Sequence, residues 1–271
     1  MRPSRDLGQN FLVDGRFLDV VETAAKLTPS DIVLEVGGGL GVLSERLAPR
    51  VGHLHVVEMD HLLASALERS LTPFTNTSLH AADAVALDFA AFRPLPNKLV
   101  ANLPYGVAAT LVLKTLEELQ GIELCVAMVQ REVAERFAAA PGSRTYGATS
   151  ALAQLSCEVS VHRRVPRSAF LPAPNVDSAI LVLSRRSASP DPEVRALIRV
   201  AFAHRRKTLA GSLALAEGAE SGVRARAREA LESLGHPADA RAERLAPSDF
   251  VGLSAMLGDA SRGRATGRPA K

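Results

Sequence analysis

No stretch of the 271-residue chain is apolar for anything close to the ~20 residues that a membrane-spanning helix requires. Met1-Arg2-Pro3-Ser4 opens without the hydrophobic core of a secretion signal. Both absences predict a cytoplasmic protein with no membrane partner. Only two cysteines are present, Cys125 and Cys157, each inside an apolar, strand-like run. The expectation is two buried reduced thiols rather than a bridge or a metal site. His53 and His55 stand two apart on a strand with no third ligand nearby, which argues for surface or core histidines and against a metal. No Ser/His/Asp or Cys/His arrangement suggests nucleophilic catalysis, and no internal repeat is visible.

What is present is enough hydrophobic residue, 47% of the chain, for a full α/β core and a smaller second domain. The net charge of +3 is unevenly spread. From Arg186 onward 15 Lys/Arg face 10 Asp/Glu, whereas residues 1–185 hold 17 against 19. A basic C-terminal third suits an anionic partner such as nucleic acid. An Arg- and Ala-rich chain with solvated charged faces would give the same count.

The chain is organised around Leu34-Glu35-Val36-Gly37-Gly38-Gly39-Leu40-Gly41, where an apolar run stops in glycines and a helical pattern carrying Val42, Leu43 and Leu47 follows. This predicts a buried strand, a tight turn through Gly37 and Gly39, and a helix N-terminus. Without a Cβ, backbone there can approach a ligand closely, although a plain tight turn would read alike. About twenty residues on, the strand His55-Val56-Val57 ends in Glu58, an acid placed to accept both hydroxyls of a ribose. Together the two signals point to an adenosine-bearing cofactor.

Taken in order, Asp14 predicts a helix N-cap ahead of the stripe Phe17, Val20, Val21 and Ala24. A helix is expected over 61–71, strands near Leu79 and at Leu99–Ala101, a helix over 107–119 and a buried strand over 122–129. A helix follows at 131–139, then a loop at Pro141-Gly142-Ser143 able to move over the site. Strands are expected at 157–165 and 176–183, separated by the proline-stiffened Phe170-Leu171-Pro172-Ala173-Pro174. Alternating strands and helices argue for a doubly wound, largely parallel sheet, whose ligands gather at strand carboxyl ends. Gly37, Glu58, Asp83 and Asn102 all fall at such ends. The composition break at Ser187-Ala188-Ser189-Pro190 divides the chain into a first domain, 1–186, holding the strand-end signals, and a helical second domain, 187–258, with helices over 194–215, 223–234 and 247–257 and the basic excess that suits RNA. A basic, disordered tail over 259–271 follows.

Asn102-Leu103-Pro104-Tyr105 is the second motif. The exocyclic amine of a base is a poor nucleophile because its lone pair is delocalised into the ring. The Asn102 amide oxygen and the Leu103 carbonyl, each accepting one N–H, would hold that nitrogen with its lone pair toward a methyl donor. Pro104 fixes the turn, and Tyr105 offers a ring on which the base can stack. Catalysis by such a corner is positioning rather than proton abstraction; a strand end with a turn proline is the bland reading. Arg205-Arg206-Lys207, expected within a helix holding Phe202 and Leu209, is a cationic cluster suited to phosphates, with Arg163, Arg164 and Arg167 as possible extensions of that surface.

These residues resemble the ribosomal RNA adenine dimethyltransferases, specifically the KsgA (RsmA) group. The likeness runs through Gly8-Gln9-Asn10-Phe11-Leu12, the glycine motif, Glu58-Met59-Asp60, Asp83-Ala84 and Asn102–Tyr105. It continues through Val129–Arg136, Pro172–Ser178, Arg205–Leu209 and Arg241–Leu245. The resemblance implies a Rossmann-like class I methyltransferase sheet with a small all-helical C-terminal domain, and S-adenosylmethionine as cofactor. It implies N6-dimethylation of two adjacent adenosines in the 3′-terminal hairpin of small-subunit (16S) rRNA during ribosome biogenesis, by an enzyme acting as a monomer. By matched position Asn10, Leu12, Gly37, Gly39, Glu58, Asp83 and Asn102 would contact the cofactor, with Glu58 on the ribose and Asp83 on the adenine amine. Tyr105 and Phe170 would sandwich the target base. Gly38 stands where the family usually has proline, which should loosen the loop; Gly106 and Leu7 are smaller departures. The rival readings are a large-subunit rRNA methyltransferase of the erythromycin-resistance type, which shares the core motifs, and a non-catalytic RNA-binding factor on the same fold.

Overall fold

A computed structural model describes residues 9–258. Leu7, Gly8 and the basic segment 259–271 lie outside the described residues. The chain forms two compact units: residues up to Ala138 with Cys157–Ala188, and Ala139–Ser156 with Ser189 onward. A cut at Ser187 therefore separates Ala139–Ser156 from the helices with which it groups.

Among the described residues the first unit holds nine strands: β1 (Phe11–Leu12), β2 (Ile32–Val36), β3 (His53–Glu58), β4 (Thr77–Ala81), β5 (Lys98–Asn102), β6 (Leu124–Gln130), β7 (Cys157–Val165), β8 (Phe170–Leu171) and β9 (Ser178–Arg185). Its helices are α1 (Gly15–Ala25), α2 (Ser44–Leu47), α3 (His61–Leu71), α4 (Ala108–Glu118) and α5 (Arg131–Phe137). Seven strands make one sheet in the order β4-β3-β2-β5-β6-β9-β7. From β4 to β6 all pairings are parallel; β9 is antiparallel to both β6 and β7. Only β9 thus runs against the rest, and the end of β7 shares an edge with the carboxyl ends of β2, β3 and β5.

The central strands are continuous apolar runs because both their faces are covered. Val33, Leu34, Val56, Leu99, Val100 and Val126 are all fully buried. Leu18, Val21 and Ala25 of α1 pack into the same cluster as Leu54, Met128 and Ile180. Each buried Leu or Val contributes about 1.5–3 kcal/mol relative to exposure. Asp14 caps α1 through Oδ1, which accepts from Arg16 N at 3.1 Å. At the opposite edge from the glycine turn, Lys98 donates from Nζ to Asp31 Oδ2 at 2.8 Å and to the Lys26 carbonyl at 2.7 Å. Both side chains of that ion pair are buried. Cys125 and Cys157 are free, buried thiols.

β1 and β8 form a separate two-stranded ribbon pairing Phe11 with Leu171 and Leu12 with Phe170. The helix after the glycine turn is a single turn, Ser44–Leu47, and leaves Val42 exposed outside it.

The second unit is helical: α6 (Ala148–Gln154), α7 (Pro192–Phe202), α8 (Leu209–Leu213), α9 (Val223–Ser233) and α10 (Pro247–Leu257). The single helix expected over 194–215 is broken. Thr208 is extended and caps α8, its hydroxyl accepting from Gly211 N at 3.1 Å, while Leu209 N donates to the Ala240 carbonyl at 2.9 Å. Arg205-Arg206-Lys207 consequently lies on the exposed loop between α7 and α8, not within a helix.

Candidate active site

The carboxyl ends of β2, β3 and β5 enclose one cleft. Past β2, Gly37 N and Gly38 N both donate to the Val57 carbonyl, at 2.8 and 3.3 Å, so the turn is stitched to β3. Gly37 and Gly39 have φ of +81° and +57°, the left-handed region in which a side chain would be strained. A Cβ on Gly37 would come within 3.3 Å of the Asn102 carbonyl and 3.5 Å of Pro104 Cδ. The glycine turn and the Asn-Leu-Pro-Tyr corner therefore touch.

Glu58 is buried at the end of β3 and organises the turn. Its Oε2 accepts from Gly39 N at 2.8 Å and its Oε1 from Asp60 N at 2.9 Å. Each carboxylate oxygen keeps a further lone pair for a ligand hydroxyl. Asp60 caps α3, accepting from Leu62 N at 2.9 Å, and Gln9 Nε2 donates to its Oδ2 at 2.8 Å. The Gln9 bond, with the two α3 backbone bonds, holds the Asp60 carboxyl below its ordinary value. Beyond β4, Asp83 is exposed and takes Val85 N on Oδ1 at 2.9 Å. Glu35, beneath the turn, is fully buried, and burial pushes its carboxyl up to about 8 despite a 2.6 Å bond from Ser44 Oγ; the nearby Glu58 charge adds to the rise.

At the corner, Asn102 Nδ2 donates to the Asn10 carbonyl at 3.2 Å, which leaves Oδ1 as the amide's accepting end. Leu103 is held by its N–H to the Met128 carbonyl at 3.0 Å, with its side chain buried. The Tyr105 hydroxyl lies 2.5 Å from Ser178 Oγ, and burial raises the phenol above its usual range, so it stays protonated at neutral pH.

A family model for ribosomal RNA adenine dimethylase matches residues 2–228. The chain belongs to the ribosomal RNA adenine dimethylase family. Among the adenine dimethylases it is 45% identical over 254 residues to ribosomal RNA small subunit methyltransferase A of Rubrobacter xylanophilus, covering 93% of this chain and 94% of the relative. The fold matches a dimethyladenosine transferase from Plasmodium falciparum with a TM-score of 0.78 at 26% identity, covering 91% of this chain and 97% of that one. It also matches the 23S rRNA methyltransferase ErmE with a TM-score of 0.67 at 25% identity, over 92% and 99% of the two chains. The sheet and its crossings are those of a Rossmann-like class I methyltransferase.

The cleft of this adenine dimethylase has a volume of about 740 Å³. Of the residues singled out in the sequence, Asn10, Gly37, Gly39, Glu58, Asp83, Asn102, Leu103, Pro104 and Tyr105 line it. Leu12 does not; it lines a second cavity of about 480 Å³ with Glu35, Gly37, Gly39 and Met128. Phe170 lines neither. It is 3% exposed and packs in the hydrophobic core, while its neighbour Leu171 is 66% exposed, as alternation along a strand requires. The ring that the family likeness sets opposite Tyr105 is therefore not on the cleft wall in this structure. Arg205, Arg206 and Lys207 belong to the second unit, as does the Pro141–Ser143 loop, whose Gly142 N donates to the Glu243 carbonyl at 2.6 Å. Among the described residues, no group of three His, Cys, Asp or Glu side chains is arranged to hold a metal. His55 instead bonds His80 and the Pro94 carbonyl. Val85, an apolar wall beside Asp83, went unnoticed in the sequence because a single exposed hydrophobic carries no periodic signal, and Met59, the wall beside Glu58, stood there only as part of a family motif.

Proposed function

We propose that the chain uses S-adenosylmethionine to dimethylate N6 of two adjacent adenosines in the 3′-terminal hairpin of small-subunit (16S) rRNA, in the cytoplasm. The donor set fits the cofactor: a carboxylate at the end of β3 for a ribose diol, a second acid beyond β4 for an adenine amine, and a turn free of Cβ atoms between them. When bound, that cofactor supplies an electrophilic methyl group on sulfur.

The chain's own contribution is to orient the acceptor. Asn102 Oδ1 and the Leu103 carbonyl accept the two N6–H groups and turn the lone pair out of conjugation. Tyr105 stacks on the base, and Pro104 holds the turn that joins them. Methyl transfer leaves the nitrogen positively charged; it sheds one proton to solvent, since the corner offers no base, and a single N–H then remains that one acceptor suffices to hold for the second transfer. The corner offers an amide, a peptide carbonyl and a phenol that stays protonated, so its work is placement rather than proton removal. Two buried reduced thiols and no helix long or apolar enough to cross a membrane among the described residues accord with a cytoplasmic setting.

The observation that carries this reading is the 3.3 Å approach of the Gly37 Cβ position to the Asn102 carbonyl, which unites the cofactor turn and the acceptor corner. The test offers purified small and large ribosomal subunits with a methyl-labelled donor. Label is expected as N6,N6-dimethyladenosine in small-subunit rRNA; label in the large subunit alone would overturn it. Asn102→Ala should abolish transfer with RNA affinity nearly unchanged, and undiminished turnover would refute the positioning role.

A further inference from the structure

We propose that Arg144 joins Arg205, Arg206 and Lys207 in one phosphate-binding face of the second unit, which grips the backbone of the RNA substrate; this rests on the rRNA reading above. In sequence Arg144 is a lone cation in a loop, 61 positions from Arg205. The fold brings the two together. Tyr146, buried two residues beyond Arg144, meets Phe202 edge-on with ring centroids 5.9 Å apart at 67°. Phe202 ends α7 immediately before the cationic loop and in turn packs against Phe250 of α10. On the other side of Arg144, Gly142 N donates to the Glu243 carbonyl at 2.6 Å. The Arg144 loop is thus fastened to the end of α7, where the cationic loop begins, and to the turn at Ala242–Arg244, and Arg205 Nη2 donates to the Arg144 carbonyl at 3.4 Å.

That bond uses a main-chain oxygen, so it neutralises nothing. All four side chains are exposed, and none has a carboxylate partner within ion-pair distance among the described residues. Some exposed arginines do have one: Arg226 pairs with Glu220 at 3.0 Å in the same unit, and Arg186 with Glu158 in the other. Four unpaired cations on two adjoining loops repel one another until a polyanion arrives. A phosphodiester backbone answers that arrangement whatever its sequence, because each contact releases condensed counterions.

The full-length protein is titrated with a naked small-subunit rRNA transcript over a range of salt concentrations, alongside the labelled-donor assay. Arg144→Gln should lower the slope of log K against log salt by about 0.9, as Arg205→Gln does, with the two losses adding in the double variant. Arg144→Lys should keep the slope, which separates charge from loop packing. An unrelated duplex of equal length should lose affinity by the same factor. A wild-type slope in Arg144→Gln while Arg205→Gln falls overturns the proposal. So does a loss confined to intact subunits and absent on naked RNA, since the anion would then be a ribosomal protein. If wild type fails to label small-subunit rRNA yet the Arg144→Gln slope falls, the face stands and the substrate reading does not.

Discussion

The Tyr105 hydroxyl lies 2.5 Å from Ser178 Oγ, joining the turn after β5 to the first residue of β9. Ser178 is fully buried, and its backbone is paired on both sides, with Gln130 of β6 and Val165 of β7. The hydroxyl is therefore a fixed point that limits the swing of the Tyr105 ring, and it lies in a motif whose value in sequence was only its likeness to a family. One hydrogen bond is worth about 1 kcal/mol net, or roughly fivefold in a rate or binding constant. Ser178→Ala and Tyr105→Phe should each lower kcat/KM on rRNA by about that factor. The double variant should lose no more than either alone; fully additive losses in this cycle would mean that the bond does not position the ring.

Glu58 carries two backbone N–H groups, one from Gly39 and one from Asp60. Glu58→Gln would set an amide N–H₂ against one of those donors, because only one end of the new side chain can accept. A buried donor left without an acceptor costs about 1–3 kcal/mol. The expected outcome is a loss of that size in both thermal stability and affinity for S-adenosylhomocysteine, read by calorimetry. Glu58→Asp, which keeps two acceptors but shortens their reach, should lose affinity with a smaller effect on stability. Equal affinities for wild type and Glu58→Gln would contradict the role given to this carboxylate.

The walls of the cleft were legible in the sequence because each sits where a long apolar run stops. Val36 gives way to glycine, Val57 to Glu58 and Ala101 to Asn102, and a buried parallel strand leaves that pattern plainly. The His61–Leu71 helix and the Asp14 cap were readable for the same local reason. What was not readable is non-local. The pairing of Phe11–Leu12 with Phe170–Leu171 joins two-residue strands far apart in the chain, too short to show any alternation. Which of Phe170 and Leu171 points inward is decided by that pairing, and so the sequence could not say that Phe170 enters the core. The break between α7 and α8 was hidden because Phe202 and Leu209 continue one helical stripe across it, while the Thr208 cap and the Ala240 contact that end it depend on the fold.

Gly38 illustrates a departure whose consequence reverses once its surroundings are seen. A Cβ on it would lie 2.5 Å from both Leu67 Cδ2 and Val56 Cγ1, two side chains that are fully buried. The position is not loose; its missing side chain is filled by neighbours. Restoring the family's usual residue, Gly38→Pro, should therefore destabilise the protein by about 1–3 kcal/mol, the usual cost of overpacking. Proline would also remove the N–H that reaches the Val57 carbonyl. Leu67→Ala should partly relieve the steric component in the double variant. A Tm for Gly38→Pro at or above that of wild type would show the loop to be slack after all.

Two buried groups set opposite pH dependences of stability. His55 is held neutral by burial, its pKa lowered to about 4 from 6.5, with Nε2–H donated to the Pro94 carbonyl and Nδ1 facing His80. The unfolded chain binds this proton first, so His55 removes stability as pH falls from 6.5 toward 4. Glu35 is also held neutral, its pKa raised to about 8 from 4.5. The unfolded chain releases that proton first, so Glu35 removes stability as pH rises from 4.5 toward 8. Each slope approaches about 1.4 kcal/mol per pH unit, and between pH 4.5 and 6.5 the two oppose each other. The contribution left above pH 6.5 is the Glu35 loss. Glu35→Gln should abolish it, making the variant more stable than wild type at pH 8 in denaturant titrations, and should leave the acid-side loss from His55 uncovered below pH 6.5. A Glu35→Gln variant whose stability tracks wild type across both ranges would mean that Glu35 is already ionised in the folded protein, and that the charge beneath the glycine turn is compensated by something other than the Ser44 hydroxyl.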